Sequence, residues 1–206
     1  MVTVDADVAR VERRLVTGRI LGPCGHVLAG WGYARERVVR GEAGVRLRVR
    51  PRRARCARCE STHVLLPVIL LARRADTAVV IFTGLVGAAR GWGHRRVAVA
   101  LGRAGGTVRG WIRRVRGRAE AFRVMFTALG CGLDADPVLP VPAVSPIADV
   151  LAAIEFAASA AMSRWSRSGL IVSGAQMAVA ASGGLLLSPA FVPESINTSW
   201  LWQPMR

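Results

Sequence analysis

The sequence predicts a mainly α protein with a small β zinc-ribbon-like module at its N-terminus, a trihelical helix-turn-helix core and a helical C-terminal region. Three observations predict it. Val45, Leu47 and Val49 alternate with Arg46, Arg48 and Arg50, the period of two of a half-buried strand, and the alternation lies between Cys24 and the pair Cys56-Ala57-Arg58-Cys59. Residues 90 to 118 carry two segments with helical periodicity and nine arginines but no acidic residue. Beyond a stretch with prolines at 137, 140, 142 and 146 the chain is apolar and almost free of charge. The boundaries that follow are 1–63 for the ribbon-like module, 64–128 for the helix-turn-helix domain, 129–146 for a Pro-rich linker and 147–206 for a helical packing or dimerisation region.

Composition limits the function classes. At 206 residues with 52% apolar residues, the chain is long enough for a core and too apolar for a disordered protein. All 29 basic residues are arginine, and 26 of them precede residue 127, where only 8 of the 13 acids lie. The N-terminal part therefore carries a net +18 and the rest −2, which directs a polyanionic partner to the N-terminal part. The acidic, polar start Met1-Val2-Thr3-Val4-Asp5-Ala6-Asp7 has no apolar signal core, so a cytoplasmic, nucleoid-associated location is expected. In that compartment four cysteines are metal ligands or buried thiols rather than disulfides. Cys131, standing alone, is read as incidental.

Residues 1 to 20 show a weak helical pattern and no motif. From Leu21 the sequence reads as a knuckle and a hairpin, with Gly22-Pro23-Cys24-Gly25-His26, then Trp31-Gly32-Tyr33, a Gly41-to-Gly44 turn and the alternating strand that ends at Pro51. A zinc ribbon brings four ligands from two Cys-x2-Cys knuckles into a tetrahedron. The second knuckle is intact here, but Leu21 stands where the first needs its other cysteine. Either a histidine completes the site, so that the candidate zinc ligands are Cys24, Cys56 and Cys59 with His26 or His63 in the fourth place, or the metal is lost.

After Val64 to Leu71 and a polar break at Arg73 to Asp76, Ala78 to Ala89 is apolar on all sides and is expected to be a buried helix under the helix-turn-helix. Val97 and Leu101 stand one turn apart, Gly102 supplies a stop, and a long helix is expected from Thr107 to Phe122 with Val108, Ile112, Val115, Ala119 and Phe122 on one face. The opposite face holds Gly106, Gly110, Arg113 and Gly117, flanked by Arg109 and Arg114. In a helix-turn-helix the second helix enters the major groove and the first braces it. The candidate DNA-binding residues are therefore Arg95 and Arg96 on the bracing helix, and Thr107, Arg109, Gly110, Arg113 and Arg114 on the reading helix.

The succession Trp31-Gly32, Cys56-x2-Cys59, Thr62-His63-Val64-Leu65-Leu66-Pro67, Arg90-Gly91-x-Gly93-His94-Arg95-Arg96 and Thr107-Val108-Arg109-Gly110-Trp111-x-Arg113-Arg114 resembles an actinobacterial family of transposase-like proteins. Those proteins pair an N-terminal zinc ribbon with a helix-turn-helix. The resemblance covers roughly residues 20 to 125 and implies DNA binding, and Leu21 departs from the family's four-cysteine pattern.

The uncharged run from Gly169 to Pro193 has the length of a membrane span, but Gly183-Gly184 and its many small residues argue for a packing helix instead. No constellation of acids, and no serine or tyrosine nucleophile with an activating partner, is legible, so no enzyme is expected. The functional expectation is a non-catalytic, sequence-specific binder of double-stranded DNA, associated with a mobile element or acting as a transcriptional regulator, with a homodimer through the C-terminal region and no small-molecule substrate. Its alternatives are a transposase with an unrecognised active site and a membrane-tethered DNA binder.

Overall fold

A computed structural model describes residues 1–192; the aromatic end with Trp200 and Trp202 lies outside the described residues. Within them the chain forms a small mixed sheet followed by helices, the α-plus-small-β class that the periodicities predict.

The N-terminal segment is more structured than its weak pattern suggested. Strand β1 (Val2–Val4) is buried at all three residues and runs parallel to the end of β6 (Thr62–Pro67), with Val2 opposite Leu65. Helix α1 (Val8–Val16) starts where the Asp7 carboxylate accepts the backbone N–H groups of Ala9 and Arg10. Its buried residues Val11 and Leu15, one turn apart, share a cluster with Val2, Val4, Ile20, Leu28, Ala54, Cys56 and Leu65. Each such side chain contributes roughly 1.5–3 kcal/mol on burial, enough to hold a short helix on a sheet. Strands β2 (Leu28–Tyr33), β5 (Arg52–Cys56) and β6 are antiparallel neighbours, giving the order β1-β6-β5-β2. The expected strand is β4 (Arg46–Val49), which pairs with β3 (Arg37–Arg40) in a separate two-stranded hairpin.

Helix α2 (Ala78–Ala89) is buried as expected. Glycines on it let two further helices approach. A Cβ on Gly84 would lie 3.2 Å from Leu101 and 3.5 Å from the Trp111 ring, and one on Gly87 would lie 3.2 Å from Val97. Helix α3 (His94–Leu101) ends at Gly102, whose left-handed φ of 62° fits the predicted stop. After a short turn α4 (Gly105–Arg116) begins two residues earlier than the pattern suggested and buries Val108, Trp111, Ile112 and Val115.

The single long helix expected over 107–122 is two helices. Gly117 closes α4, Arg118 leaves helical geometry at φ −133°, and α5 (Ala119–Leu133) sets off anew with Ala119 and Phe122 still buried. Arg118 explains the break, because its guanidinium donates to the carbonyls of Leu186 at 2.9 Å and Phe191 at 3.1 Å and lies over the Phe122 ring. Helix α5 also takes the first five residues of the expected linker, so the extended stretch begins at Asp134.

The C-terminal region is part of the main core rather than an appended module. Helix α6 (Pro146–Arg164) starts with Ser145 as its cap and buries Ile147, Val150, Ala153, Ile154, Ala157 and Ala161. These residues share one hydrophobic cluster with α2 through α5 and with Leu186, Leu187 and Phe191. Gly130 on α5 makes the α5–α6 approach close, since a Cβ there would run into the Phe156 ring. Helix α7 (Gly174–Ala181) opens with a reciprocal Ser173–Gln176 capping box and is buried at seven of its eight residues. Gly183 and Gly184, both left-handed, follow it. The uncharged run from Gly169 thus holds an eight-residue helix, shorter than a membrane span, inside the core. Among the described residues one helix, α6, is long and apolar enough by composition to cross a membrane.

Candidate metal centre and nucleic-acid interface

The metal centre follows from strand pairing. Cys56 is the last residue of β5 and lies opposite Leu28, the first residue of β2, so it is buried at the sheet's end. The turn that leaves β5 brings back Cys59, and the backbone N–H of Cys56 donates to Ser61 O at 3.0 Å to close that turn. Before β2, Gly22 N–H donates to His26 O at 2.9 Å and Gly25 adopts φ 76°, which folds a second tight turn and presents Cys24. The Cys24 Sγ lies 3.5 Å from the Sγ of both Cys56 and Cys59, and all three sulfurs are within 4.8 Å of one another. Sulfurs around a tetrahedral zinc at about 2.3 Å are separated by a similar span, so three corners of a thiolate site are in place.

The backbone N–H and hydroxyl of Ser61, followed by contacts from Cys24 and Cys56, bring the Cys59 thiol down to about 7. For Cys24 the largest influence, the His26 backbone N–H, is downward, but contacts with the other two sulfurs leave it raised. A lowered thiol pKa favours the thiolate, the form in which cysteine binds a metal.

Neither predicted histidine completes the group. Among the described residues the ligating atoms within reach of one another are the three sulfurs alone. His26 turns its Nδ1 to the carbonyl of Cys24 at 2.8 Å, and His63, opposite Ala54 in the sheet, places Nδ1 3.3 Å from the amino terminus. Burial, and then the positive amino terminus, lowers the pKa of His63.

The arginine-rich helices divide their arginines into two groups. Arg103 is structural, with its Nε 2.6 Å from the Asp76 carboxylate and its Nη2 donating to Gly41 O at 2.8 Å. Asp76, 2% exposed, also receives Arg40 through two hydrogen bonds of 3.0 and 2.8 Å. Arg118 holds the segment 186–191, as described above. Arg114, expected on the reading face, is half-buried and folds back onto its own helix to donate to Gly110 O at 3.0 Å. The bare helix surface expected at Gly110 is thus covered, since a Cβ there would meet Arg114 at 2.8 Å.

Of the remaining predicted residues Arg95, Arg96, Arg109 and Arg113 stay outward, and so does Arg116, which the sequence did not single out. Arg95, Arg109, Arg113 and Arg116 are exposed, and no ion pair with an acid engages them among the described residues. Arg96 is exposed and lies over the Trp92 ring at 4.2 Å, while Thr107 is half-buried in the first turn of α4. That first turn has no side-chain cap, and open space surrounds the Cβ position of Gly106.

No protein-family model, curated protein or solved structure matches this chain. What can be said of the site therefore rests on its own geometry. Sequence reasoning missed the Arg40–Asp76–Arg103 cluster, although a lone acid between Arg74 and a wholly apolar helix was a usable signal for a buried ion pair.

Proposed function

We propose that the protein is a non-catalytic binder of double-stranded DNA in which α3 and α4 act as a helix-turn-helix, with α4 in the major groove. One observation carries the reading: Arg95 and Arg96 on α3 and Arg109, Arg113 and Arg116 on α4 are all exposed on a packed helix pair that contains no acid. Charges that no acid neutralises among the described residues, held on packed helices, match a phosphate-lined groove. The uncapped start of α4 adds free backbone N–H groups where a phosphate would sit. Association with a mobile element rests on the motif resemblance, and action as a regulator is the alternative role for the same binding.

The three-sulfur centre is assigned to zinc with a structural part, because it ties the turn before β2 to the β5–β6 turn in a module with a small core of its own. A homodimer through the C-terminal region would have to use residues other than the apolar faces of α6 and α7, which are buried in the core.

Fluorescence anisotropy with a labelled random duplex, measured over a series of salt concentrations, tests the reading. Binding whose affinity falls steeply with salt supports it, with a slope of about 0.9 for each phosphate neutralised. Absence of binding to any duplex at low salt overturns it.

A further inference from the structure

The β3–β4 hairpin is joined to the helix pair at its tip, and the join is made of charged groups rather than apolar ones. Arg103, in the turn between α3 and α4, reaches back to donate to Gly41 O, the residue that closes β3. The same guanidinium and that of Arg40, the last residue of β3, converge on the buried carboxylate of Asp76. Backbone hydrogen bonds reinforce the attachment, since Arg40 N–H donates to Ala75 O at 2.8 Å and Thr77 N–H donates to Arg40 O at 3.0 Å. The hairpin turn, residues 41–44, lines a small cleft of about 350 Å³ together with Thr83 of α2 and Ala100, Leu101 and Gly102 at the end of α3.

The strand register then decides what the hairpin displays. Val39 is buried and Leu47, its partner, half-buried, so this pair faces inward. The other face carries Val38 opposite Arg48 and Arg40 opposite Arg46, and all four are exposed. Residues 35 to 50 hold six arginines against two glutamates. Of these glutamates, Glu36 stands 3.8 Å from Arg48, a loose and exposed pairing that leaves the guanidinium 81% accessible. With the Arg40 guanidinium turned onto Asp76, the outward arginines of this face are Arg46 and Arg48, and a ribbon that holds them beside the helix pair is complementary to the same polyanion that would engage α3 and α4.

Resting on the DNA-binding reading above, we infer that the β3–β4 hairpin is a second DNA-contacting element: Arg46 and Arg48 hold backbone phosphates flanking the segment read by α4, and Asp76 positions the ribbon for it. The contacts are assigned to phosphate because α4 occupies the major groove in this reading, and phosphate contacts fix register and orientation without carrying base preference.

The test compares Arg46→Ala/Arg48→Ala with wild type by anisotropy against a selected duplex, across a salt series, together with Arg13→Ala/Arg167→Ala, which removes the same charge from exposed positions on α1 and after α6. The expected result is that the hairpin variant lowers the slope of log affinity against log salt by about 1.8, leaves the ranking of duplex sequences unchanged, and exceeds the effect of the control. A wild-type slope and affinity in the hairpin variant, while Arg109→Ala loses binding, overturns the hairpin contact and leaves the helix reading standing. Equal losses in the hairpin and control variants also overturn it, by showing a general charge effect. Wild-type protein that binds no duplex overturns the reading on which the inference rests.

Discussion

Three sulfurs define three corners of a site, and position 21, three residues before Cys24, is where the Cys-x2-Cys spacing would put a fourth ligand. Protein purified without added metal under reducing, chelator-free conditions should carry about one equivalent of zinc, and Cys56→Ser, which removes the buried sulfur, should release it. Leu21→Cys restores the Cys-x2-Cys spacing of the first knuckle and should tighten zinc on the order of tenfold or more in competition with a chelator. Metal-free wild type together with an unchanged Leu21→Cys would show that the turn does not present this position to the sulfurs. Asp76 controls a different join at the same scale. It is buried between two guanidinium groups, one of them 8% exposed, and truncation would leave Arg103 buried without its counter-charge. Asp76→Ala should destabilise the protein by about 3 kcal/mol in urea unfolding. A loss below about 1 kcal/mol would mean that the pair is solvated in solution.

Between elements, small residues decide the spacing. Gly130→Ala would ordinarily strengthen a helix by roughly 1 kcal/mol, but at this position the new methyl meets the Phe156 ring where α5 and α6 pack, so a net loss of about 1–3 kcal/mol is expected from thermal or urea unfolding. A stabilised variant would contradict the packing. The elements themselves were legible in the sequence wherever a period was uninterrupted. The alternation at residues 45–50, the all-apolar run of α2 and the Gly102 stop each reported directly on backbone geometry. The missed features depend on contacts distant in sequence. The break at Arg118 is set by carbonyls about 70 residues later, at Leu186 and Phe191, and no local pattern records them. Strand β1 is fixed by pairing with residues 65–67, and a three-residue segment is too short to show a period. For the sites, the x2 spacing of Cys56 and Cys59 located the three-sulfur cluster, whereas the histidines could not be excluded by spacing because their rings turn toward Cys24 O and the amino terminus. Likewise the exposed stripe of α4 was readable from helical period, but Arg103, Arg114 and Arg118 are the same residue type as their exposed neighbours and differ only in tertiary contacts.

At the scale of the whole molecule, the helices from α2 to α7 share one hydrophobic cluster, and the sheet with α1 has a smaller one of its own. Ending the chain after residue 146 would remove α6 and expose the apolar face of α5 as well as the partners of Arg118. Such a truncation should therefore lose cooperative unfolding in circular dichroism rather than yield a stable DNA-binding fragment, and a cooperatively folded 1–146 fragment would restore the separate-domain arrangement. If α4 reads base edges while α3 meets phosphates, selection of bound sequences from a random duplex pool will separate Arg113→Ala from Arg95→Ala. Arg113→Ala should flatten the preference at one position, by about 1–3 kcal/mol of discrimination, and Arg95→Ala should weaken all sequences alike relative to wild type. Full retention of the wild-type preference by Arg113→Ala, with the selectivity lost instead in Arg95→Ala, would contradict that division of roles.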